Sequence, residues 1–152
     1  MANHPQPCEI CERIAQIRRG EHPGFLAELP SGYAVLGDSQ FFRGYCLLLC
    51  KEAVADLEEL APEFKTQFLA DMARLSAAVA AVVRPHKMNL ESLGNMVPHL
   101  HWHVFPRQLS EAEPQKPVWL VMPQGEAAAE FALDAERDGE LLAALRRELG
   151  GV

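Results

Sequence analysis

The segment His99-Leu100-His101-Trp102-His103-Val104-Phe105 constrains the fold more than any other stretch of the chain. Histidine and apolar residues alternate in it with period two, the pattern of a half-buried strand. Side chains at i, i+2 and i+4 of a strand leave from one face, so His99, His101 and His103 are expected to project together. They are three of the chain's six histidines. Imidazole serves proton transfer, nucleophilic attack and metal ligation near neutral pH, and three uses of the cluster follow. The first is a metal site. On a regular strand the outer Cα atoms stand about 13 Å apart, too far for both rings to reach one Zn²⁺ at about 2.1 Å. A metal would therefore take two of the rings and a remote residue. The second use is catalysis, with one ring as nucleophile or base and its neighbours shaping the pocket. The third is a solvated polar face on an edge strand.

The surrounding pattern predicts an α+β fold. Residues 9–19 read as a short helix with Ile10, Ile14 and Ile17 on one side and Gly20 as its stop. Apolar runs at 33–37 and 45–50 suit two adjacent antiparallel strands joined by a loop. Phe64, Phe68, Met72, Leu75, Val79 and Val82 recur every three or four residues and give one apolar helical stripe. Pro62 lies near its first turn and Pro85 ends it. Residues 87–93 read as a strand leading through Gly94 and Asn95 into the histidine strand, which Pro106 is expected to terminate. Trp119 belongs to a further apolar piece, 117–121. Beyond Gln124, Leu141, Leu145 and Leu149 mark a terminal amphipathic helix, with Asp138 as a candidate N-cap. Short links between strands predict a largely antiparallel sheet.

Composition narrows the partners. The chain has 152 residues, 49% of them apolar, enough for one domain with a real core. Its formal net charge of −7, with no Lys/Arg-rich block, argues against duplex DNA or RNA, whose phosphate backbone demands a basic footprint. An anionic small molecule stays compatible, because a pocket needs only local donors. Met1 to Pro7 is polar, without a signal-peptide hydrophobic segment, and the longest apolar run, Ala77 to Val83, is too short to span a bilayer. A cytoplasmic protein with reduced cysteines and no membrane partner is expected. Cys8 and Cys11 form a Cys-x-x-Cys at the start of the first helix. Half of a zinc site, a redox pair, and two small core residues are all open readings. Cys46 and Cys50 fall on a strand and read as core.

The seven residues from His99 match the pattern His-φ-His-φ-His-φ-φ, with φ apolar, at every position, and the chain thereby resembles the histidine triad family of nucleotide-binding hydrolases and transferases. The text from Asn89 through Gly94, Asn95 and Pro98 to His103 resembles bacterial diadenosine tetraphosphate hydrolases in particular, with likeness from about Cys8 to about Trp119. That resemblance implies a five-stranded antiparallel sheet with flanking helices, joined into a ten-stranded sheet in a homodimer. It implies one nucleotide hydrolase domain over 1–125, with 126–152 as a helical extension of it. It makes His101 the nucleophile toward an α-phosphate, through a nucleotidyl-histidine. One ring nitrogen of His101 must then face phosphorus while the other donates, with a backbone carbonyl as the expected acceptor. His103 becomes a donor to phosphate or leaving group, and His99 the most structural of the three. Neutral donors and backbone N–H groups are expected to stabilise the transferring phosphoryl group. Asn89 is implied as a phosphate contact and Asp38 as a ribose contact, and Asn95 as either a phosphate contact or a turn residue. Arg107 and Lys51 are either attractors of polyphosphate or surface charges.

No cofactor is firmly implied. Relatives that bind structural zinc use a Cys-x-x-Cys pair, the first triad histidine and a second histidine after a lysine. Here Lys51-Glu52-Ala53 stands at that place, and Ala53 cannot ligate, so no metal ligand set is assigned. A second departure is Gly44-Tyr45 where many relatives have Gly-His, since a tyrosine cannot shuttle protons near neutral pH. The substrates expected are dinucleoside polyphosphates or another nucleotide derivative such as an adenosine phosphoramidate. The alternative is a nucleotide-binding or sensing protein with little turnover.

Overall fold

In the computed structural model, which describes residues 4–150, the helix stripe and the histidine strand pack against each other. Positions 1–3 and 151–152, which begin and end the two expected segments, lie outside the described residues. Helix α1 spans Glu9–Arg18, followed by strands β1 (Phe25–Glu28), β2 (Gly32–Leu36) and β3 (Cys46–Cys50). Helix α2 (Pro62–Val83) leads to β4 (Lys87–Glu91) and β5 (His101–Arg107); the short α3 (Val118–Val121) and α4 (Gly139–Glu148) complete the chain. The five strands form one sheet in the order β1-β2-β3-β5-β4, and every neighbouring pair is antiparallel.

Strand alternation sorts the sheet into two faces. On one, Ala34, Leu36, Cys46, Leu48, Cys50 and Val104 pack with Phe68, Leu75 and Val79 of α2 and with Leu142 and Leu145 of α4. Full burial of each large side chain there contributes about 1.5–3 kcal/mol. By length and composition alone α2 could cross a bilayer, with a mean hydropathy of 1.3 in its most apolar window; here its stripe lies against the sheet. On the other face, Ile10, Ile14 and Ile17 of α1 cover Tyr33, Val35 and Leu49. In register, Leu49 stands opposite His101 and Leu47 opposite His103, so the two histidines share the α1 face.

The expected elements need one addition and two corrections. First, β1 completes the sheet, although four residues between Pro23 and Pro30 carry too little alternation to be read as a strand. Second, Pro106 does not end β5, which continues to Arg107 opposite Lys87. Pairing with β3 stops at Val104, and Pro106 directs its backbone toward that unpaired side, where a missing N–H costs nothing. Third, Asp138 precedes α4 but makes no side-chain cap. Its buried carboxylate instead accepts from Arg43, Arg137 and the Asp134 N–H.

Candidate active site

The triad histidines do not all share one site. Pro98 and a bend keep His99 outside β5, which begins at His101. Here the His99 N–H bonds to the Val97 carbonyl at 2.8 Å, and the Leu100 N–H to that of Val54 at 2.7 Å. The His99 ring, 1% exposed, donates from Nε2 to the Cys50 carbonyl at 2.8 Å. That leaves Nδ1 unprotonated, 3.5 Å from both the Cys8 and Cys11 Sγ atoms. The expectation of three convergent imidazoles is thus corrected: two converge, and the third serves the cysteine pair.

His101 and His103 are buried, and both line each of two adjoining clefts of about 490 and 500 Å³. Nδ1 of His101 lies 2.6 Å from the His99 carbonyl. A carbonyl only accepts, so Nδ1 carries the proton and Nε2 presents its lone pair. Burial lowers the pKa of His101, opposed by that same backbone bond, so the ring is neutral at pH 7. A neutral imidazole with a fixed tautomer and an open Nε2 can act as a nucleophile.

Tyr45, the departure at the start of β3, bonds through its hydroxyl to Nδ1 of His103 at 2.6 Å. Burial pushes the tyrosine pKa far up and, with the neighbouring His101, holds His103 down to about 4. Both groups are therefore neutral, and the hydroxyl donates, since the reverse polarity would leave its buried proton without a partner. His103 then keeps its proton on Nε2. Room for the ring comes from Gly37, where a Cβ would fall 2.2 Å from Tyr45 Cδ1.

The remaining sequence candidates divide. Asp38 lines the first cleft, but Arg13 of α1 holds its carboxylate through both guanidinium Nη atoms and also bonds Glu9. These two carboxylates press the Arg13 pKa upward. Asn95 is exposed and lines the second cleft beside Gly94 and Met96. Asn89 lines neither: it sits opposite Phe105 on β4, and its Oδ1 accepts from Arg107 at 2.9 Å, so any phosphate contact would have to come from Nδ2. Arg107 is no surface charge, being 2% exposed and held by Glu111 and the Lys116 carbonyl. Lys51 pairs with Glu28 at 2.8 Å. Neither cation lines either cleft.

Sequence reasoning missed Arg13, Glu9 and Trp119 as cleft residues. The Trp119 indole lies edge-on to His103 at 5.4 Å and donates to Glu91 at 2.6 Å. A lone tryptophan after a proline-rich loop was its only signal. The second histidine for Cys8 and Cys11 is expected after Lys51, where Ala53 stands; His4, ahead of Cys8 in the sequence, folds back instead, its Nε2 3.5 Å from the Cys11 Sγ.

The HIT domain family model matches residues 22–110. The chain belongs to the HIT family. That family includes nucleotide hydrolases and nucleotide-binding proteins. Among curated proteins, none matches the chain. Solved HIT structures share the fold. A histidine triad protein from Bradyrhizobium japonicum is 25% identical with a TM-score of 0.71, covering 86% of this chain and 94% of its own. One from Marinobacter aquaeolei is 24% identical with a TM-score of 0.72, covering 83% and 88%. A Zn-bound histidine triad family protein from Mycobacterium smegmatis is 22% identical with a TM-score of 0.64, covering 95% and 94%.

Proposed function

We propose that this HIT protein is a hydrolase of dinucleoside polyphosphates of the diadenosine tetraphosphate type, acting through a nucleotidyl-His101 intermediate. One observation carries the reading: a buried neutral imidazole, its Nδ1–H tied to the His99 carbonyl at 2.6 Å, leaves Nε2 free on a ring that lines both adjoining clefts. A substrate with two nucleoside ends and a polyphosphate bridge suits that arrangement, one end per cleft, with the α-phosphorus over His101. The Nε2–P bond forms as the bond from the α-phosphorus to the bridging oxygen breaks, and the other nucleoside departs with the remaining phosphates as a nucleoside polyphosphate. Positive charge then building on the ring is stabilised through Nδ1–H by the carbonyl. Water next attacks phosphorus, the P–N bond breaks, and the nucleoside monophosphate leaves with the ring neutral again.

His103, held by Tyr45 with its proton on Nε2, donates to a non-bridging phosphate oxygen or to the departing one. Asp38, fixed by Arg13, accepts from the ribose hydroxyls, and Asn95 bonds phosphate in the second cleft. The proposal includes a homodimer joined through β4. The carbonyl of Phe25 on the opposite edge strand is taken by Arg146, whereas Leu90 on β4 is 41% exposed. A monomeric mass by light scattering would remove that part.

The test is incubation with diadenosine tetraphosphate, wild type beside His101→Ala, with trapping of any nucleotidyl-protein without acid. Wild-type turnover reduced about 10³-fold or more in the variant is expected. An equally active variant refutes the nucleophile. Binding without cleavage by the wild type removes this substrate and moves phosphoramidates, or a sensing role suited to Tyr45, to the front.

A further inference from the structure

We infer that His4, Cys8, Cys11 and His99 form a closed tetrahedral Zn²⁺ site, in which His4 takes the ligand place that Ala53 leaves empty. One ligand atom from each of the four residues lies within 4.8 Å of all the others. Zinc bonds to sulfur at about 2.3 Å and to nitrogen at about 2.0–2.1 Å, so a tetrahedron has sulfur–nitrogen edges of about 3.6 Å. Three such edges measure 3.5 Å: His4 Nε2 to Cys11 Sγ, and His99 Nδ1 to each of the two Sγ atoms.

The surroundings suit a metal as well. The Cys50 carbonyl takes the Nε2–H of His99 at 2.8 Å, which turns the Nδ1 lone pair toward the sulfurs, as carbonyls do behind ligating histidines. Cys8 is the N-cap of the ten-residue α1, and the Cys11 N–H points at its Sγ at 3.3 Å. His4 stands edge-on to His99 with ring centroids 4.9 Å apart, and Nε2 is its nitrogen turned toward Cys11. Two thiolates and two neutral imidazoles balance one divalent cation. Ala53, by contrast, is exposed.

With four protein ligands the ion has no open position and supplies structure rather than Lewis-acid chemistry. What it fixes matters to the reaction, because the residue it grips, His99, offers the carbonyl that sets the tautomer of His101. The ion also staples the segment before α1 to the start of the histidine strand, across 95 positions of sequence from His4 to His99. Thiol–imidazole hydrogen bonds would also give distances near 3.5 Å, and metal analysis separates the two.

The full chain is loaded with Zn²⁺, dialysed and assayed for metal, and X-ray absorption at the zinc edge reads its ligands. One ion per chain with two sulfurs and two nitrogens is expected. His4→Ala should weaken zinc about 10- to 100-fold in chelator competition and shift the visible spectrum of the Co²⁺-loaded protein, while His86→Ala, an exposed control, changes neither. A wild type that retains no zinc overturns the site. Zinc bound by two sulfurs with only one nitrogen overturns the His4 assignment, as does a His4→Ala variant with wild-type affinity and spectrum. The absorption experiment uses only the wild type, so it decides even if the variant fails to fold.

Discussion

His103 should make this protein acid-sensitive by an amount that can be worked out. Its ordinary pKa of 6.5 falls to about 4 in the folded chain, through burial first and the neighbouring His101 second. The unfolded chain therefore binds a proton over a range where the folded chain refuses it, and stability falls as pH drops from 6.5 toward 4. Above pH 7 this penalty is nearly absent. At pH 5 the two-pKa linkage relation gives about 2 kcal/mol, and at pH 4 about 3 kcal/mol. His103 is 8% exposed, so solvent screening removes little of it. His99 and His101 are shifted the same way, so the wild type alone does not isolate one ring; the difference from His103→Gln does. Urea unfolding at pH 7 and pH 5 should show the wild type losing about 2 kcal/mol more than the variant, equivalent to about 4–8 °C in thermal midpoint for a chain of this size. Losing the repulsion on His101 in the variant acts in the same direction. Equal losses in both proteins would refute the reasoning, and so would an NMR titration placing the His103 pKa at or above 6.

Two further perturbations follow from buried polar contacts. Tyr45→Phe removes the donor to His103 Nδ1 and leaves a buried acceptor unpaired. It should destabilise by about 1–3 kcal/mol and lower kcat more than KM; a thermal midpoint equal to wild type would show that the hydroxyl makes no net bond. Asp138→Asn weakens the carboxylate bonds to Arg137, the Asp134 N–H and Arg43 that hold its pKa down to about 2 from an ordinary 3.8. Arg137 and Arg43 are 43% and 53% exposed, so solvent screening reduces the loss to about 1–2 kcal/mol at pH 7. In the wild type this contribution is complete above about pH 5 and disappears as pH falls through 4 toward 2. A variant as stable as wild type in urea at pH 7 would contradict it.

Periodicity carried most of the fold. The α2 stripe and the histidine alternation each span several repeats of their period, and tertiary packing agrees with both. Strand β1 lacked such support: Phe25–Glu28 is too short for alternation to stand out, and β2 alone holds it in the sheet. The extension of β5 through Pro106 depended on where β3 stops, a fact of pairing rather than of local sequence. At the site, His101 and His103 were legible because one strand carries both. His4, Arg13 and Trp119 were not, because folding brings each to the histidines from a distant element. Charge was the least readable property: Arg107, open as a polyphosphate attractor or a surface charge, is instead a buried cross-brace between Glu111 and Asn89.

Helix α1 has a consequence for how the gene can vary. Cys8 and Cys11 face His99, Ile10 and Ile14 face the sheet, and Glu9 and Arg13 face the cleft, all within seven positions at the start of one short helix. Each residue advances the helix by about 100°, so a single codon inserted after Cys11 would swing Arg13 away from Asp38 while the cysteines stayed put. The cysteine pair and the polar wall of the cleft are geared on one shaft. Insertions and deletions should be tolerated in the exposed turn at Gly20 and Glu21, but not between residues 8 and 14, where drift in one function would be felt at once by the other.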